Sequence, residues 1–388
     1  MHLRLNDEQK MVQKTIRKFV ENELMPLEPE VLRNEREGRP GISPEKAQEL
    51  QDKAKDFGFW GINTPEEYGG ADLGQMMLAI VMMETSRTFV PFQFGGFADN
   101  ILYYGNEAQK EQYLFPTIRG EKKSCFAITE PEAGSDTRRI QMSAVKDGHE
   151  WVLNGEKTFI TNGHEADFVM VFAVTDKEKN GHGGVTCFLV DRDMGWESEY
   201  IHTMGEWGPA SLIFNNVRVP EENILGELHG GYKLGLEWIG FNRWVVAARA
   251  IGAAERLLQD AIDYSKQRMT FGKPIADRQA IQWQIADSAV EIEATKGLVF
   301  NAAWTLDQGE DNRQLASMAK LFGANMGNRV IDRVLQIHGG MGYTKELPIE
   351  RWYREARLWR IYDGTDEIQR MIIARNLLKG HVKIGDFI

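Results

Sequence analysis

The sequence is poor in cysteine, in clustered positive charge and in long apolar runs. Only Cys125 and Cys187 are present among 388 residues, which argues against a disulfide framework and favours reduced thiols in the cytoplasm. The net charge is -11 and no run of Lys or Arg occurs, so we do not expect nucleic acid as a partner. No apolar stretch approaches the roughly 20 residues of a membrane span, and the N-terminus has neither signal-peptide nor transit-peptide character. The histidines and cysteines show no metal-ligand spacing, so no metal is expected.

The composition is otherwise that of a soluble globular protein with more than one domain. Hydrophobic residues make up 42% of the chain and charged residues 27%. A chain of this length holds two or three domains and a large core. Changes in pattern predict an N-terminal helical domain at 1–122, a middle β-domain at 123–230 and a C-terminal helical bundle at 231–388.

Helical periodicity dominates both ends of the chain. Ser43-Pro44-Glu45 is typical of a helix start, because a capping hydroxyl precedes proline at the first helical position. Long amphipathic patterns run over about 231–267, 278–308 and 312–337. Short connections between them predict antiparallel neighbours, and hence a bundle. The last helix is expected to begin after Thr365 as its N-cap.

The middle of the chain alternates in the manner of β-strands. SCFAIT, DFVMVFAV, GVTCFLV and SLIFNNVRV are rich in β-branched and aromatic residues. Asn154-Gly155 inside HEWVLNGEKTFIT predicts a two-residue hairpin turn. We expect a small β-barrel or sandwich of about seven strands.

Several short motifs carry candidate chemistry, although each also has an ordinary structural interpretation. TEPEAGSD (129–136) offers hydroxyls and open backbone amides that suit a phosphate or a ring carbonyl, but it is also a polar loop. FITNG (159–163) places an aromatic ring and a hydroxyl at a strand end. QRMTFGKPI (267–275) and QIHGGMGY (336–343) end long helices, where a basic residue or a glycine C-cap is common. In IYDGTDEIQR (361–370), the lone Asp363 precedes a glycine and a helix cap.

Taken together and in this order, these motifs resemble the acyl-CoA dehydrogenase family. The resemblance runs from LNDEQ near the N-terminus to the helix that follows IYDGTDEIQR, and it includes PEEYGG and NVRVPEENILG. It implies an α+β, mainly α fold with an N-terminal helical domain, a middle β-barrel domain and a C-terminal four-helix bundle. It also implies bound FAD, an acyl-CoA substrate, an electron-transfer flavoprotein as acceptor and a homotetramer in which a neighbouring subunit completes the flavin site.

The resemblance assigns residues to the cofactor and to the substrate. The cofactor-binding residues that it implies are Thr129, Ser135, Phe159, Thr161, Arg268, Phe271, Gln336, Gly339, Gly340, Thr365 and Glu367. Ser135, Asn242 and Arg243 are expected to face the CoA portion, and Gly364 lets the backbone approach the substrate closely. The loop MGEWGPASLIF (204–214) departs from the family pattern at Trp207-Gly208-Pro209-Ala210, so no site residue is carried onto it.

Asp363 stands where the family places its catalytic base. In relatives this carboxylate removes the α-proton of the thioester while the β-hydride moves to flavin N5, and most relatives have Glu. Hydrogen bonds to the thioester carbonyl stabilise the developing enolate. An apolar, water-excluding pocket raises the pKa of the acid. The shorter Asp side chain favours a branched, cyclic or bulky acyl group, or another carbon acid. Asp99 falls where relatives line the acyl pocket, but a helix-cap role is the commoner use of such an acid.

Three functions therefore remain open from the sequence. The leading one is FAD-dependent α,β-dehydrogenation of an acyl-CoA, as in fatty acid metabolism. The alternatives are a flavin oxidase or monooxygenase on the same fold and a non-catalytic helical assembly protein.

Overall fold

The computed structural model describes residues 5–206 and 208–385. The chain forms two compact units. The first comprises Met1–Asn63, Asp72–Phe94 and Gly240–Ile388, and the second comprises Thr64–Ala71 and Gly95–Ile239. The three domain boundaries drawn from the sequence stay a prediction.

Twelve α-helical segments occur in the described residues. In chain order they are α1 (Asp7–Phe19), α2 (Glu28–Arg36), α3 (Pro44–Asp56), α4 (Gly74–Thr85), α5 (Glu107–Gln109), α6 (Phe115–Arg119), α7 (Gly231–Gln267), α8 (Gln279–Asp307), α9 (Arg313–His338), α10 (Gly340–Tyr343), α11 (Ile349–Ala356) and α12 (Asp366–Leu378). The predicted long helices are confirmed as α7, α8 and α9.

Several helices begin at a short polar side chain that caps them. Asn6 caps α1, because its Oδ1 accepts from the Gln9 N–H at 2.8 Å while the Gln9 side chain accepts from the Asn6 N–H. Ser43 caps α3 through its Oγ, which accepts from Lys46 N–H at 3.2 Å. Thr365 caps α12 in the same way, with a distance of 3.3 Å from Ile368 N to its Oγ1. The starts at Ser43 and Thr365 were predicted from the sequence.

The first unit is held by one large apolar core. Its central helices contribute small and branched residues that are fully buried, such as Ile251 on α7, Val299 on α8 and Val334 on α9. A buried acid, Glu84, is satisfied within this unit by the guanidinium of Arg17 at 2.7 and 2.9 Å. The long helices are thus fixed along their length, which gives the segments between them defined positions.

The second unit is built on one eight-stranded sheet. In chain order, the strands of the chain are β1 (Ser124–Ala127), β2 (Ser143–Asp147), β3 (Glu150–Ile160), β4 (Phe168–Val174), β5 (Val185–Asp191), β6 (Glu197–Tyr200), β7 (Ala210–Pro220), β8 (Ile224–Leu225), β9 (Met269–Thr270) and β10 (Lys273–Pro274). The sheet order is β6-β7-β3-β2-β4-β5-β8, and β1 pairs in parallel with β4. β9 and β10 form a separate ribbon that the sequence did not predict, since two-residue strands are too short to show alternation.

The strand β4 is buried on both faces and divides the apolar interior of the second unit. Val169, Val171 and Ala173 join one cluster, whereas Phe168 and Phe172 join the other. This two-residue period is that of a strand whose sheet is covered on both sides.

The predicted hairpin turn at Asn154-Gly155 is wrong. Both residues lie inside β3, where the register to β7 shifts between Leu153 and Gly155. The turn that joins β2 to β3 is Gly148-His149 instead. Gly155 is needed because its φ is +146° and a Cβ there would come within 2.8 Å of the Met142 side chain. The Asn-Gly pair therefore marks a bulge with a close backbone approach.

Candidate active site

Asp363 lies in a short turn that precedes α12. Its φ is +54° and that of Gly364 is +89°, so two successive residues adopt the left-handed conformation. Such a backbone is uncommon for Asp and persists only when its surroundings hold it.

Two fully buried side chains donate hydrogen bonds to the backbone of this turn. Gln369 Nε2 donates to the carbonyl oxygens of Asp363 and Gly364 at 3.0 and 2.9 Å. Lys320 Nζ, from α9, donates to the same Gly364 oxygen at 2.8 Å. A Cβ on Gly364 would come within 2.7 Å of Gln369 Nε2, so glycine is required both for the backbone angle and for this bond.

The backbone N–H of Asp363 donates to no protein acceptor in the described part of the chain. The Asp363 side chain is half-buried. The turn therefore presents a carboxylate and a free N–H from one residue, and this combination can take a proton and bind a carbonyl oxygen of the same small molecule.

Burial raises the pKa of Asp363 from its ordinary 3.8 to about 6. Three cations oppose this rise, in the order Arg249, Lys320 and Arg243. Burial also lowers the pKa of Lys320 to about 8, against the charges of Asp366 and Asp363. Asp363 is thus a carboxylate whose pKa is set between desolvation and several positive charges, as is common for catalytic acids and bases.

The nearby Asp366 has a structural role. Its Oδ2 accepts from Arg360 Nε at 2.8 Å and from Asn325 Nδ2 at 2.9 Å, and the residue is buried. It is therefore not a second candidate base.

Sequence reasoning missed Lys320, Gln369 and Arg249. A signal existed for Lys320, because the residues three and four positions away from it on α9 are the small, buried Ala316, Ser317, Gly323 and Ala324. A lysine in such a position is rarely buried without a specific role. No sequence signal identified Arg249 or Gln369.

The predicted substrate residues Asn242 and Arg243 lie on α7 and are half-buried. The charge of Arg243 acts on Asp363, so the structure brings these two predicted site residues together. Arg243 Nε is buried and has no hydrogen-bond partner in the described residues. Asn242 is the residue directly before Arg243 on the same helix. Its role at the CoA portion stays a prediction.

In the second unit, the predicted flavin residues lie at strand ends. Thr129 follows β1, and its carbonyl accepts from Thr158 N–H at 2.9 Å, which ties the 129–136 loop to β3. Phe159 lies in β3 at a register shift, with φ +58° and 63% of its side chain exposed. Thr161 and Ser135 are exposed. An aromatic ring held outward by an unusual backbone is available to a flat ligand.

A buried ion pair that the sequence did not predict fixes the same loop. Lys157 Nζ lies 2.7 Å from Glu130 Oε1, and both side chains are almost completely buried. Glu130 also accepts from the N–H groups of Gln141 and Met142 at 2.6 and 3.0 Å. Burial lowers the pKa of Lys157 to about 8, while Glu130 opposes this. Glu130 belongs to the motif TEPEAGSD and Lys157 to the stretch HEWVLNGEKTFIT, so both contain structural residues beside the candidate binding residues.

Asp99 is held within the second unit. Its Oδ1 accepts from Trp238 Nε1 at 2.6 Å and its Oδ2 accepts from Ser124 Oγ at 2.7 Å. Trp238 in turn stacks on Phe126 with ring centroids 3.9 Å apart. The helix-cap interpretation is wrong, because the Asp99 side chain makes no cap hydrogen bond. A direct role of Asp99 in substrate binding stays a prediction.

The remaining predicted cofactor residues lie on the first unit and are mostly exposed. Phe271, between β9 and β10, is 97% exposed with φ +49°, and Arg268 is exposed just before the ribbon. Gln336, Gly339 and Gly340 are exposed at the end of α9.

Glu367 is exposed in the first turn of α12. Its own backbone N–H and the Thr365 hydroxyl hold its pKa below the ordinary value. Trp207 lies outside the described residues.

Among the described residues, no group of three or more His, Cys, Asp or Glu could hold a metal ion. Within the same residues, no helix is long and apolar enough to cross a membrane.

Three family models match the chain in succession. They are the acyl-CoA dehydrogenase N-terminal domain at residues 6–121, the middle domain at 125–217 and the C-terminal domain at 229–378.

Individual proteins are similar over nearly the whole chain. The caffeyl-CoA reductase-Etf complex subunit CarC of Acetobacterium woodii is 40% identical over 96% of this chain and 99% of its own length. The (R)-benzylsuccinyl-CoA dehydrogenase of Thauera aromatica is 37% identical over 97% of each chain. The structure of glutaryl-coenzyme A dehydrogenase in complex with glutaryl-CoA superposes with a TM-score of 0.88 at 33% identity, covering 98% of this chain and 97% of that one.

These matches confirm the predicted family and three-domain fold. The chain belongs to the acyl-CoA dehydrogenase family and is an FAD-dependent oxidoreductase.

Proposed function

We propose that the protein oxidises the Cα–Cβ bond of an acyl-CoA thioester to the 2-enoyl-CoA, with Asp363 as the base that removes the α-proton. The observation that carries this proposal is the Asp363 turn, which combines a raised pKa with a free backbone N–H. The names of similar proteins, which act on benzylsuccinyl-CoA and glutaryl-CoA, support a CoA thioester as substrate.

The reaction divides between the protein and its cofactor. Asp363 takes the α-proton as the Cα–H bond breaks, and the electron pair of that bond forms the new C=C bond. The N–H of Asp363 donates to the thioester oxygen, where negative charge develops. A bound FAD would supply the two-electron acceptor for the hydride that leaves Cβ, which balances the two-electron oxidation of the substrate.

The described residues fit FAD as the cofactor. Phe159 and Phe271 are large aromatic side chains, exposed and held by left-handed backbone, and such rings suit the flat parts of a dinucleotide. Arg268 offers an exposed cation for a pyrophosphate, and Thr129 and Ser135 offer hydroxyls. We propose that these residues hold FAD, together with Thr161, Thr365 and Glu367. Gln336, Gly339 and Gly340 would hold the cofactor of a neighbouring subunit in a homotetramer.

The reverse reaction is a second candidate. CarC is named as part of a reductase, and a pKa of about 6 leaves a share of Asp363 protonated near neutral pH. In that direction a protonated Asp363 delivers its proton to Cα of an enoyl-CoA. Because the same residue acts in both directions, the physiological direction depends on the electron partner. The name of the CarC complex supports an electron-transferring flavoprotein in that role.

The oxidase alternative keeps the same residues but differs in how the flavin is reoxidised. Membership of an oxidoreductase family argues against the non-catalytic assembly protein. The absence of any disulfide between the two buried cysteines is consistent with the proposed cytoplasmic location.

The experiment is anaerobic bleaching of the flavin by a panel of saturated acyl-CoAs, including straight, branched, cyclic and carboxylated acyl groups. We expect at least one thioester to bleach the flavin, and the Asp363→Asn variant to keep FAD but lose bleaching by at least a thousandfold. Asn keeps the shape of the side chain and removes the base, so a loss of less than tenfold would place the base elsewhere. Slow reoxidation in air supports a dehydrogenase, whereas fast reoxidation with hydrogen peroxide supports the oxidase.

A further inference from the structure

An open cavity of about 600 Å³ in the second unit is lined by polar and charged residues. They are Asp136, Arg138, Arg139, Gln141 and His182. Two guanidinium groups face one carboxylate, so the lining carries an excess of positive charge. All five residues are exposed, so a ligand can reach them from solvent. A lining of this kind is unfavourable for an acyl chain and favourable for an anion.

The two arginines of this cavity have no acid partner. Among residues 5–206 and 208–385, neither guanidinium has a carboxylate oxygen within 4.0 Å. Arg138 lies over the ring of Tyr232, with its guanidinium carbon 5.9 Å from the ring centroid, and this contact leaves its charge uncompensated. By contrast, Arg119 of the same unit pairs with Glu121. The cavity therefore holds two adjacent cations that are available to a ligand.

The segment that carries both arginines is fixed near each of its ends. At the first end, Thr137 Oγ1 lies 3.1 Å from the hydroxyl oxygen of Tyr232. At the other end, the Gln141 N–H donates at 2.6 Å to the carboxylate of Glu130, which is buried and paired with Lys157. The backbone beneath the guanidinium groups is thus held in place before a ligand arrives, which lowers the entropic cost of binding.

His182 reaches the cavity through a close contact between two backbone segments. It ends the short turn Asn180–His182 that lies between β4 and β5. A Cβ on Gly181 would lie 2.4 Å from the Arg138 carbonyl oxygen, so only glycine allows this approach. The imidazole of His182 can donate a further N–H to a ligand that the arginines bind.

We propose that this cavity binds the 3′-phosphate of the CoA portion of the substrate, with Arg138 and Arg139 as its cationic partners. The inference rests on the proposed function, because that function makes a CoA thioester the substrate. A phosphomonoester carries about 1.5 to 2 negative charges near neutral pH and three acceptor oxygens. Two free guanidinium groups and an imidazole match it in charge and in donors.

The consequence is a preference for one kind of thioester carrier. Each phosphate in the diphosphate of CoA, and in that of FAD, carries less charge than a phosphomonoester, so the 3′-phosphate gains most from two cations. A thioester of protein-bound phosphopantetheine has no 3′-phosphate. The cavity therefore favours free CoA thioesters over thioesters of a carrier protein.

Two competing explanations make different predictions. If the arginines bind FAD, their loss lowers the FAD content and affects every substrate equally. If they are only solvated, their loss changes no affinity. Only recognition of the 3′-phosphate changes the ratio between the affinity for CoA and that for 3′-dephospho-CoA.

The test uses the FAD-loaded enzyme and ligand pairs that differ only in the 3′-phosphate. Dissociation constants of CoA and 3′-dephospho-CoA are measured by calorimetry, and kcat and KM are measured for the corresponding thioesters of one reactive acyl group. We expect the wild type to bind CoA about fivefold or more tightly than 3′-dephospho-CoA, because charge-assisted bonds of exposed groups are of this strength. KM should follow this ratio while kcat stays the same, since the phosphate makes no contact with the reacting atoms.

Three variants complete the design. The double variant Arg138→Gln with Arg139→Gln should reduce the preference to less than about twofold and leave the FAD content unchanged. Replacing both arginines by Lys keeps the charge but not the parallel donors, so part of the preference should remain. The control Arg119→Gln removes an exposed arginine that does not line the cavity, and it should keep the full preference.

The outcomes separate this inference from the proposed function. Equal affinity of the wild type for CoA and 3′-dephospho-CoA overturns the inference, whether or not the variants fold. A double Gln variant that keeps the preference, or that loses affinity equally for both ligands, also overturns it. If no thioester bleaches the flavin but CoA still binds more tightly than 3′-dephospho-CoA, the proposed oxidation fails and the phosphate site is supported.

Discussion

Lys320 gives the sharpest test of how the Asp363 turn works. Lys320→Met removes the buried ammonium but keeps the length of the side chain. The Gly364 carbonyl retains the hydrogen bond from Gln369 Nε2 at 2.9 Å, so no buried acceptor is left without a donor. Loss of the charged hydrogen bond costs about 1.5–3 kcal/mol, and removal of a buried charge offsets part of this. We therefore expect the variant to fold and to keep FAD.

The expected effect is on the pKa of Asp363. Lys320 lowers this pKa, so its removal must raise it above the wild-type value of about 6. A nearby opposite charge shifts a carboxyl pKa by about one unit or more, which corresponds to about 1.4 kcal/mol. With the base half ionised near pH 6 in the wild type and about one-tenth ionised in the variant, kcat/KM should fall about fivefold there and remain nearly unchanged at about pH 8.

The assay is the pH profile of kcat/KM for anaerobic flavin reduction. The matched control is Lys296→Met, which removes a lysine of α8 that pairs with Glu255 and Glu293 and has no contact with the turn. An unchanged midpoint in a folded Lys320→Met variant refutes the electrostatic role of Lys320. A uniform loss at all pH values would show instead that Lys320 acts only by holding the geometry of the turn.

The remaining predictions concern the base and the buried ion pair. Because the folded-state pKa of Asp363 is raised above its ordinary 3.8, its ionisation costs stability as pH rises and the full cost is present above about pH 6. Asp363→Asn should therefore raise the free energy of unfolding more at about pH 8 than at about pH 4, by about 1 kcal/mol after allowance for partial exposure; an equal gain at both pH values would contradict the assignment. Asp363→Glu moves the carboxylate by about 1 Å and should lower kcat about a hundredfold on the preferred substrate, with unchanged FAD content as the control measurement. Lys157→Met leaves Glu130 buried beside two N–H donors only, so urea unfolding should show a loss of about 3–5 kcal/mol and faster FAD release, whereas the double variant with Glu130→Gln should be less affected.

Much of the fold was predictable because its signals are local. The caps at Ser43 and Thr365 and the long helices α7, α8 and α9 follow from short spacings, and the structure confirms them. The Asn154-Gly155 turn was predicted wrongly for the opposite reason. An Asn-Gly pair indicates that the backbone needs an unusual conformation, but the close contact of Gly155 with Met142 that makes it a bulge depends on a residue thirteen positions earlier.

The site shows the same division between local and distant information. Asp363 was identified from its motif, whereas Lys320, Gln369 and Arg249 became visible only when α7, α9 and α12 were placed around it. A sequence motif identifies which side chain is the candidate catalytic base. The pKa of that side chain depends on burial and on charges that lie far away in sequence, and no spacing rule encodes them.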